Sequence, residues 1–148
     1  MSRVLGLDIG EATIGVAVSD ALGLTAQGLE TIKRKELKSD FERLQELIEE
    51  YDVGEIVVGL PKNMNGTIGS QAEKMLHFAE RLREIFRLPV FTWDERLTTM
   101  EAEKFLIAAD VRRKRRRQVI NTLAAQLILQ GYLDRKNLQL TGSPPGEV

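Results

Sequence analysis

The chain of 148 residues has 21 Lys and Arg against 22 Asp and Glu, a formal net charge of −1, and no cysteine. A hydrophobic fraction of 43% and a charged fraction of 29% are typical of a globular domain, which we expect over residues 1–138 with a disordered tail at 139–148. The absence of Cys excludes disulfide frameworks, zinc ribbons and iron–sulfur sites, and the single histidine, His77, excludes a metal site with several His ligands. No run approaches the roughly 18 apolar residues of a membrane span, so we expect a cytoplasmic protein.

The first half of the chain changes from a strand pattern to a helical one. Residues 3–9 (RVLGLDI) and 14–19 (IGVAVS) predict a β-hairpin, and residues 24–32 predict a third antiparallel strand. A capping box at residues 39–42 (SDFE) predicts the start of a helix. Residues 55–61 (EIVVGLP) are almost continuously apolar, as in a buried parallel strand.

The second half repeats the helix–strand unit. A second capping box at 70–73 opens a helix that runs to Phe86, and residues 89–93 (PVFTW) predict another strand. Residues 98–101 (TTME) cap a third helix that runs to Ala109, and a final helix begins near Val119, after a basic run. The order β-β-β-α-β-α-β-α-α resembles the ribonuclease H-like α/β architecture, a mixed five-stranded sheet of three antiparallel and two parallel strands flanked by helices.

Carboxylates stand at the ends of two predicted strands. Asp8 interrupts an apolar strand, where a charge is costly to bury without a partner or a cation. Asp94 and Glu95 follow the strand at 89–93, and the carboxyl ends of parallel strands are where open α/β sheets place ligands. Oxygen ligands of this kind suit Mg²⁺ or Mn²⁺. Asp8 could alternatively accept hydrogen bonds from the adjacent turn, and Asp94 or Glu95 could form a surface ion pair with Arg96.

Residues 112–117 read RRKRRR, and the other 142 residues carry 15 cations and 22 anions. This run predicts contacts with the phosphates of a nucleic acid, unless it is simply a solvated charged face. The loop at 62–69 (KNMNGTIG) is a second candidate for phosphate or substrate contacts, unless it is an ordinary connection. Trp93 suits either a core position or base stacking, and the sequence does not distinguish them. The candidate nucleic-acid contacts are Lys62, Asn63, Arg96, Arg112, Arg113, Lys114, Arg115, Arg116 and Arg117.

Four motifs occur in order over residues 3–135: VLGLDIG with IGVAVSD, IVVGLPKNMNGTIG, PVFTWDERLTTMEAE and VINTLAAQLILQGYLD. Together they resemble the YqgF family. Members of that family are ribonuclease H-like bacterial proteins described as Holliday junction resolvases and as nucleases that process the 5′ end of pre-16S rRNA. The resemblance implies that Asp8 and Glu95 are metal ligands, that Asp94 assists, and that position 121 corresponds to the third catalytic acid of the family.

The chain departs from the family pattern at two places. Where the family has an Asp in the last helix, this chain has Asn121, which offers a carbonyl oxygen but neither a negative charge nor a base. Glu11 stands in the turn after Asp8, where the family has Thr and basic residues. We hypothesise that Glu11 partly compensates for the charge lost at position 121.

Three functions remain open. The first is a Mg²⁺- or Mn²⁺-dependent endonuclease that acts on structured RNA, and processing of the 5′ end of pre-16S rRNA is the favoured reaction. The alternative substrate of such an enzyme is branched DNA, cut by a Holliday junction resolvase. The second is a nucleic-acid-binding protein whose catalysis is weak or lost because of Asn121. The third is a small phosphotransferase, since the segment LDIG before a hairpin also resembles the opening of sugar kinases, although 148 residues supply only one of the two domains these need. Whether the active unit is a monomer or a homodimer is not decided by the sequence.

Overall fold

Three strands at the start of the chain form an antiparallel meander. The computed structural model describes residues 2–63, 65–94 and 113–140. In it β1 (Arg3–Ile9) pairs with β2 (Thr13–Ser19), which pairs with β3 (Ala26–Lys33). The amide of Gly10 donates to the carbonyl of Thr13 at 2.8 Å and closes the β1–β2 turn. The predicted hairpin and third strand are therefore confirmed, with β3 beginning two residues later than expected.

The rest of the sheet is parallel. After β3 come α1 (Leu37–Glu50), β4 (Val53–Leu60), α2 (Ser70–Phe86), β5 (Val90–Asp94) and α3 (Arg113–Leu140). The strand order is β3-β2-β1-β4-β5, with parallel pairing between β1 and β4 and between β4 and β5. This confirms the mixed five-stranded sheet of the ribonuclease H-like architecture. The helix predicted after residue 98 lies outside the described residues, and none of the described helices is long and apolar enough to cross a membrane.

Both predicted capping boxes are wrong in detail. Helix α1 begins one turn earlier, with Glu36 as its N-cap, and the hydroxyl of Ser39 donates to the Glu36 carbonyl at 3.0 Å. The early start has a physical cause, because the buried Asp40 carboxylate accepts from the amide of Lys35 at 3.3 Å and so bends the chain before residue 37. Helix α2 has Gly69 as its N-cap, without a side-chain hydrogen bond.

The final helix is longer than the sequence pattern predicts. It already includes the basic run from Arg113, whereas we expected the helix to begin after that run. Arg and Lys are good helix formers, so the helix continues through residues that carry no apolar periodicity. At the other end it reaches Leu140, two residues beyond the boundary expected at 138, and residues 141–148 lie outside the described part of the chain.

The central strand β1 is buried on both faces of the sheet. Leu5, Leu7 and Ile9 pack into the cluster that α1 and α2 cover. Val4 packs on the opposite face, in a smaller cluster built around α3. Because side chains alternate along a strand, Asp8 shares that second face with Val4. Asp8 therefore lies on the side of the sheet that α3 covers.

Helix α3 approaches the sheet closely because glycines lie beneath it. A Cβ at Gly6 would lie 2.8 Å from the Cβ of Leu129 and 3.2 Å from the carbonyl oxygen of Ala125. A Cβ at Gly28 would lie 2.3 Å from the Cγ2 of Thr122. Real Cβ atoms essentially never come within 3.0 Å of another heavy atom, as both would here, so these glycines allow the contact between helix and sheet.

We expect Gly6→Ala to destabilise the fold by about 1–3 kcal/mol, because the added methyl group would push α3 away from β1. Urea unfolding monitored by circular dichroism measures the change. Leu22→Ala is the control, since Leu22 is 69% exposed and its truncation should change the free energy of unfolding by less than about 0.5 kcal/mol. Equal stability of Gly6→Ala and the natural protein would contradict this account of the helix–sheet contact.

Candidate active site

Asp8 lies near the end of the central strand, between two glycines. It pairs with Gly15 on β2, and the parallel register of β1 with β4 continues from Leu7 and Val58 to bring Gly59 to its other side. Neither neighbouring strand therefore places a side chain beside the carboxylate. The same row of the sheet continues to Thr31 on β3 and to Trp93 on β5.

The environment of Asp8 disfavours its charged form. The carboxylate is only partly exposed, and burial raises the pKa of Asp8 to about 6. A cation at this position would reverse the effect, because an opposite charge within about 4–6 Å favours the ionised carboxylate. A carboxylate oxygen is also the kind of ligand that Mg²⁺ and Mn²⁺ take. Within residues 2–63, 65–94 and 113–140, however, no three acidic or histidine side chains come together as a metal site.

The structure does not bring Asp94 to the face of Asp8. In β5, Val90 packs into the core beneath α1 and α2, whereas Trp93 packs against α3 at Gly131. By alternation Asp94 shares the face of Val90, opposite to that of Asp8. Glu95 and Arg96 lie outside the described residues, so Glu95 as a metal ligand stays a prediction.

The backbone of α3 carries position 121 close to the row of Asp8. The hydroxyl of Thr122 lies 3.1 Å from that of Thr31, which belongs to the same row. Position 121 also precedes Ala125 by one helical turn, and Ala125 lies over Gly6. The side chain of Asn121 is outside the described part of the structure, and its role stays a prediction.

The basic run extends from the same helix. Arg113, Lys114, Arg115, Arg116 and Arg117 form its first described turns, and Arg112 lies outside the described residues. At 1.5 Å per residue the run lies about 8–14 Å along the helix axis from Thr122. Toward its N-terminus α3 approaches the row of Asp8. The cations, which precede Thr122, therefore lie past that end of the helix–sheet contact.

The loop after β4 is held mainly by its own polar groups. The amide of Asn63 donates to the carbonyl of Thr67 at 2.9 Å, and its side chain donates to the Thr67 hydroxyl at 3.0 Å. Asn65 accepts from the amide of Thr67 at 3.1 Å. Lys62 is half-buried next to this turn. Asn63 therefore has a structural role in the loop, and a contact from Lys62 or Asn63 to a nucleic acid stays a prediction.

The turn after β1 is held by an arginine that the sequence analysis did not identify. Arg34 donates to the carbonyl of Gly10 at 2.7 Å and forms an ion pair with the buried Asp40 at 3.6 Å. No local pattern could have revealed this bond, since 24 residues separate its partners. Glu11, in the same turn, lines a cavity of about 440 Å³ together with Phe78 and other residues of the α1 and α2 side. This location lies across the sheet from Asp8, so the compensation hypothesis for Glu11 gains no support from the geometry.

Comparison with known proteins identifies the family. A family model described as "RuvX: Holliday junction resolvase" matches residues 2–135. A relative from Bacillus cereus named "Putative pre-16S rRNA nuclease" is 61% identical over 136 residues, which cover 90% of this chain and 99% of the relative. A relative of the same name from Thermoanaerobacter pseudethanolicus is 59% identical over 133 residues, covering 89% of this chain and 96% of the relative. The chain belongs to the RuvX family. The resemblance to the YqgF family, which the same model represents, is thereby confirmed.

The fold of the chain is similar to that of solved junction-resolving enzymes. The Thermus thermophilus RuvC in complex with Holliday junction substrate matches with a TM-score of 0.56 and 17% identity, covering 97% of this chain and 98% of that one. The yeast mitochondrial Holliday junction resolvase Ydc2 matches with a TM-score of 0.58 and 12% identity, covering 96% and 82%. At these identities the likeness establishes the common fold.

We expect Asp8→Asn to stabilise this RuvX chain at pH 7.5 in a chelating buffer, by about 1–2 kcal/mol. The pKa of Asp8 is about 6 in the folded state against an ordinary 3.8. Between these two pH values the folded state of the natural protein therefore binds more protons than the unfolded state. Its free energy of unfolding should therefore fall as the pH rises from about 4 to about 6, and this loss should be absent from Asp8→Asn.

Thermal unfolding at several pH values measures both effects. Adding a divalent cation should then raise the melting temperature of the natural protein but not that of Asp8→Asn, since a ligand stabilises the state that binds it. Identical pH profiles for the two proteins would contradict the assignment of a destabilised carboxylate.

Proposed function

We propose that this protein is a divalent-metal-dependent nuclease that hydrolyses phosphodiester bonds in structured RNA during the processing of the 5′ end of pre-16S rRNA. The observation that carries the proposal is the partly buried Asp8 carboxylate, which lies between two glycines at the end of the central strand. It does so in a chain 61% identical to a relative named as a pre-16S rRNA nuclease.

The site residues divide into metal ligands and supporting groups. A bound Mg²⁺ or Mn²⁺ would activate water and stabilise the leaving oxygen of the phosphodiester. Asp8 would supply one carboxylate oxygen and Glu95 a second, and Asn121 would add a carbonyl oxygen without charge. Asp94 lies on the other face of the sheet from Asp8. It would therefore support the conformation of the chain that leads into Glu95 and would not bind the metal.

The cations at the start of α3 would hold the substrate. A helix that carries five consecutive cations in its first described turns would attract a phosphate backbone without reading its sequence. The negative charge of the remaining residues would leave this helix as the favoured contact for a polyanion. The protein would therefore recognise the shape and charge of its substrate, in the manner of other structured-RNA binders.

A second candidate function is the resolution of Holliday junctions. The description of the matching family model favours it. A resolvase that cuts a four-way junction symmetrically needs two active sites, whereas an enzyme that trims rRNA needs one. The two functions therefore differ in the assembly they require, and a comparison of substrates separates them.

In a cleavage assay with Mg²⁺ or Mn²⁺, Asp8→Asn should lower the cleavage rate of a precursor rRNA fragment by at least about 100-fold, while binding persists. Asp94→Asn is the matched control, because it removes the same charge from the opposite face of the sheet, and it should retain activity within about ten-fold. Cleavage that continues in a chelating buffer, or equal losses in the two variants, would contradict the proposed site.

The same assay should include a four-way DNA junction. Faster cleavage of the rRNA fragment is expected, and symmetric cutting of the junction in preference to the rRNA would favour the resolvase instead.

A further variant tests whether Asn121 leaves catalysis intact. Asn121→Asp restores the negative charge that the family has at this position, so it should tighten metal binding and raise the cleavage rate by about ten-fold or more. Isothermal titration with Mn²⁺ and single-turnover cleavage measure the two effects. If the natural protein is inert and only Asn121→Asp cleaves, the natural protein is a nucleic-acid-binding member of the family rather than a nuclease.

A further inference from the structure

Aromatic side chains form a line on the α3 side of β5. Trp93 belongs to the row of Asp8, separated from it only by Gly59. Phe91 lies two residues earlier on the same face of the strand. Its ring stacks on that of Tyr132 from α3, with 5.7 Å between the ring centroids and 27° between the planes. The line therefore starts next to the candidate active site and leads away from it.

This line borders an open groove, which we call the aromatic groove. Its volume is about 580 Å³, within the roughly 300–1,000 Å³ typical of sites for small molecules. Phe91 is 44% exposed, an unusual state for a ring of that size in a folded protein. The side chains that line the groove and enter the argument are Glu55, Phe91, Trp93, Tyr132, Arg135 and Lys136.

The charged side chains that line the aromatic groove have a net positive charge. Lys136 forms an ion pair with Glu55, and the Tyr132 hydroxyl donates to the same carboxylate. Burial, and then this hydrogen bond, raise the pKa of the Tyr132 phenol, which stays neutral. The Lys136 ammonium also lies 5.9 Å from the centre of the Tyr132 ring. Because Lys136 balances the charge of Glu55, the exposed Arg135, which has no ion pair with another residue that the structure describes, adds net positive charge.

We propose that the aromatic groove binds unpaired nucleotides of the nucleic-acid substrate, whose bases stack on Phe91 and Trp93 and whose phosphates lie near Arg135. This inference rests on the proposed nuclease function and specifies the substrate as one with a single-stranded segment beside the cleavage site. Phe91 is exposed and Trp93 is half-buried, and aromatic rings with neighbouring cations are the combination that binds single-stranded nucleic acids. A paired duplex cannot use it, because its bases are already stacked within the helix.

The position of the groove matches this use. Trp93 lies two strands from Asp8, so a strand of nucleic acid that is cut at Asp8 could continue directly along β5. The described residues that line the groove include two cations and one anion, which suit a polyanion better than an apolar peptide. A protein partner on the same rings is the competing occupant, and the experiment below distinguishes it.

Trp93 is the single tryptophan of the chain, so its fluorescence reports on the groove directly. The experiment uses the non-cleaving Asp8→Asn protein and a single-stranded RNA of about ten nucleotides, a length within the range of known single-strand sites. We expect the RNA to quench the emission of Trp93 and to bind more tightly than a duplex of the same sequence. Unchanged emission at saturating RNA, or tighter binding of the duplex, would overturn the proposal.

Variants of the rings and of the cation then locate the contact. In the Asp8→Asn background, Phe91→Leu should weaken RNA binding about ten-fold. Arg135→Gln should reduce the slope of log affinity against log salt by about 0.7, the value for one phosphate contact in a single strand.

Ile85→Ala is the matched control for loss of an exposed apolar side chain, since Ile85 is 47% exposed on α2, and it should leave the affinity unchanged. Melting temperatures confirm that each variant is folded. If Phe91→Leu and Arg135→Gln both retain full affinity and salt dependence, the groove does not bind nucleic acid and a protein partner becomes its better explanation.

The two proposals fail in different ways. If the protein with an intact Asp8 does not cleave the precursor fragment but RNA quenches Trp93, the nuclease function is wrong and the aromatic groove stands. If the precursor is cleaved equally well by the Phe91→Leu variant with an intact Asp8, and the affinity of the non-cleaving protein is unchanged by that substitution, the nuclease function stands and the groove proposal is wrong.

Discussion

The close contact of α3 with the sheet is the constraint on which the rest of the structure depends. The helix can lie at this height only because β1 and β3 present glycines where a Cβ would meet Leu129 and Thr122. On the helix side, Gly131 likewise makes room for the Trp93 ring. Backbone and side chains in such a contact have little room to shift, since protein interiors are close-packed. The separation between Asp8 on the sheet and position 121 on the helix is therefore set by packing, not by the polar residues themselves.

The contact also brings together Asp8, on the face of the sheet that α3 covers, and the helix that carries the basic run. Burial raises the pKa of Asp8, which shares the face of the sheet that α3 covers, and so disfavours its charged form. The same helix carries the basic run from Arg113 onward toward that end of the sheet. A net charge of −1 is therefore the sum of a basic run and an acidic remainder.

Much of the fold could be predicted because its signals are local. The hairpin around Gly10, the buried strand before Pro61 and the position of Asp8 in an apolar strand all follow from patterns only a few residues long. The starts of the helices were predicted less well. The helix after β3 begins at Leu37 rather than after Ser39, because Asp40 binds Arg34 and the amide of Lys35, and that arrangement depends on the sheet being formed.

The sequence by itself determined the ribonuclease H-like order of elements, the family and the placement of acids at strand ends, because strand and helix periodicity and family motifs are written along the chain. Only the tertiary structure decided which acids share a face. It placed Asp94 opposite Asp8, since the direction of a side chain depends on how each strand pairs with its neighbours. It likewise stacked Phe91 on Tyr132, a contact between a strand and a helix remote in sequence, which no pattern of neighbouring residues encodes.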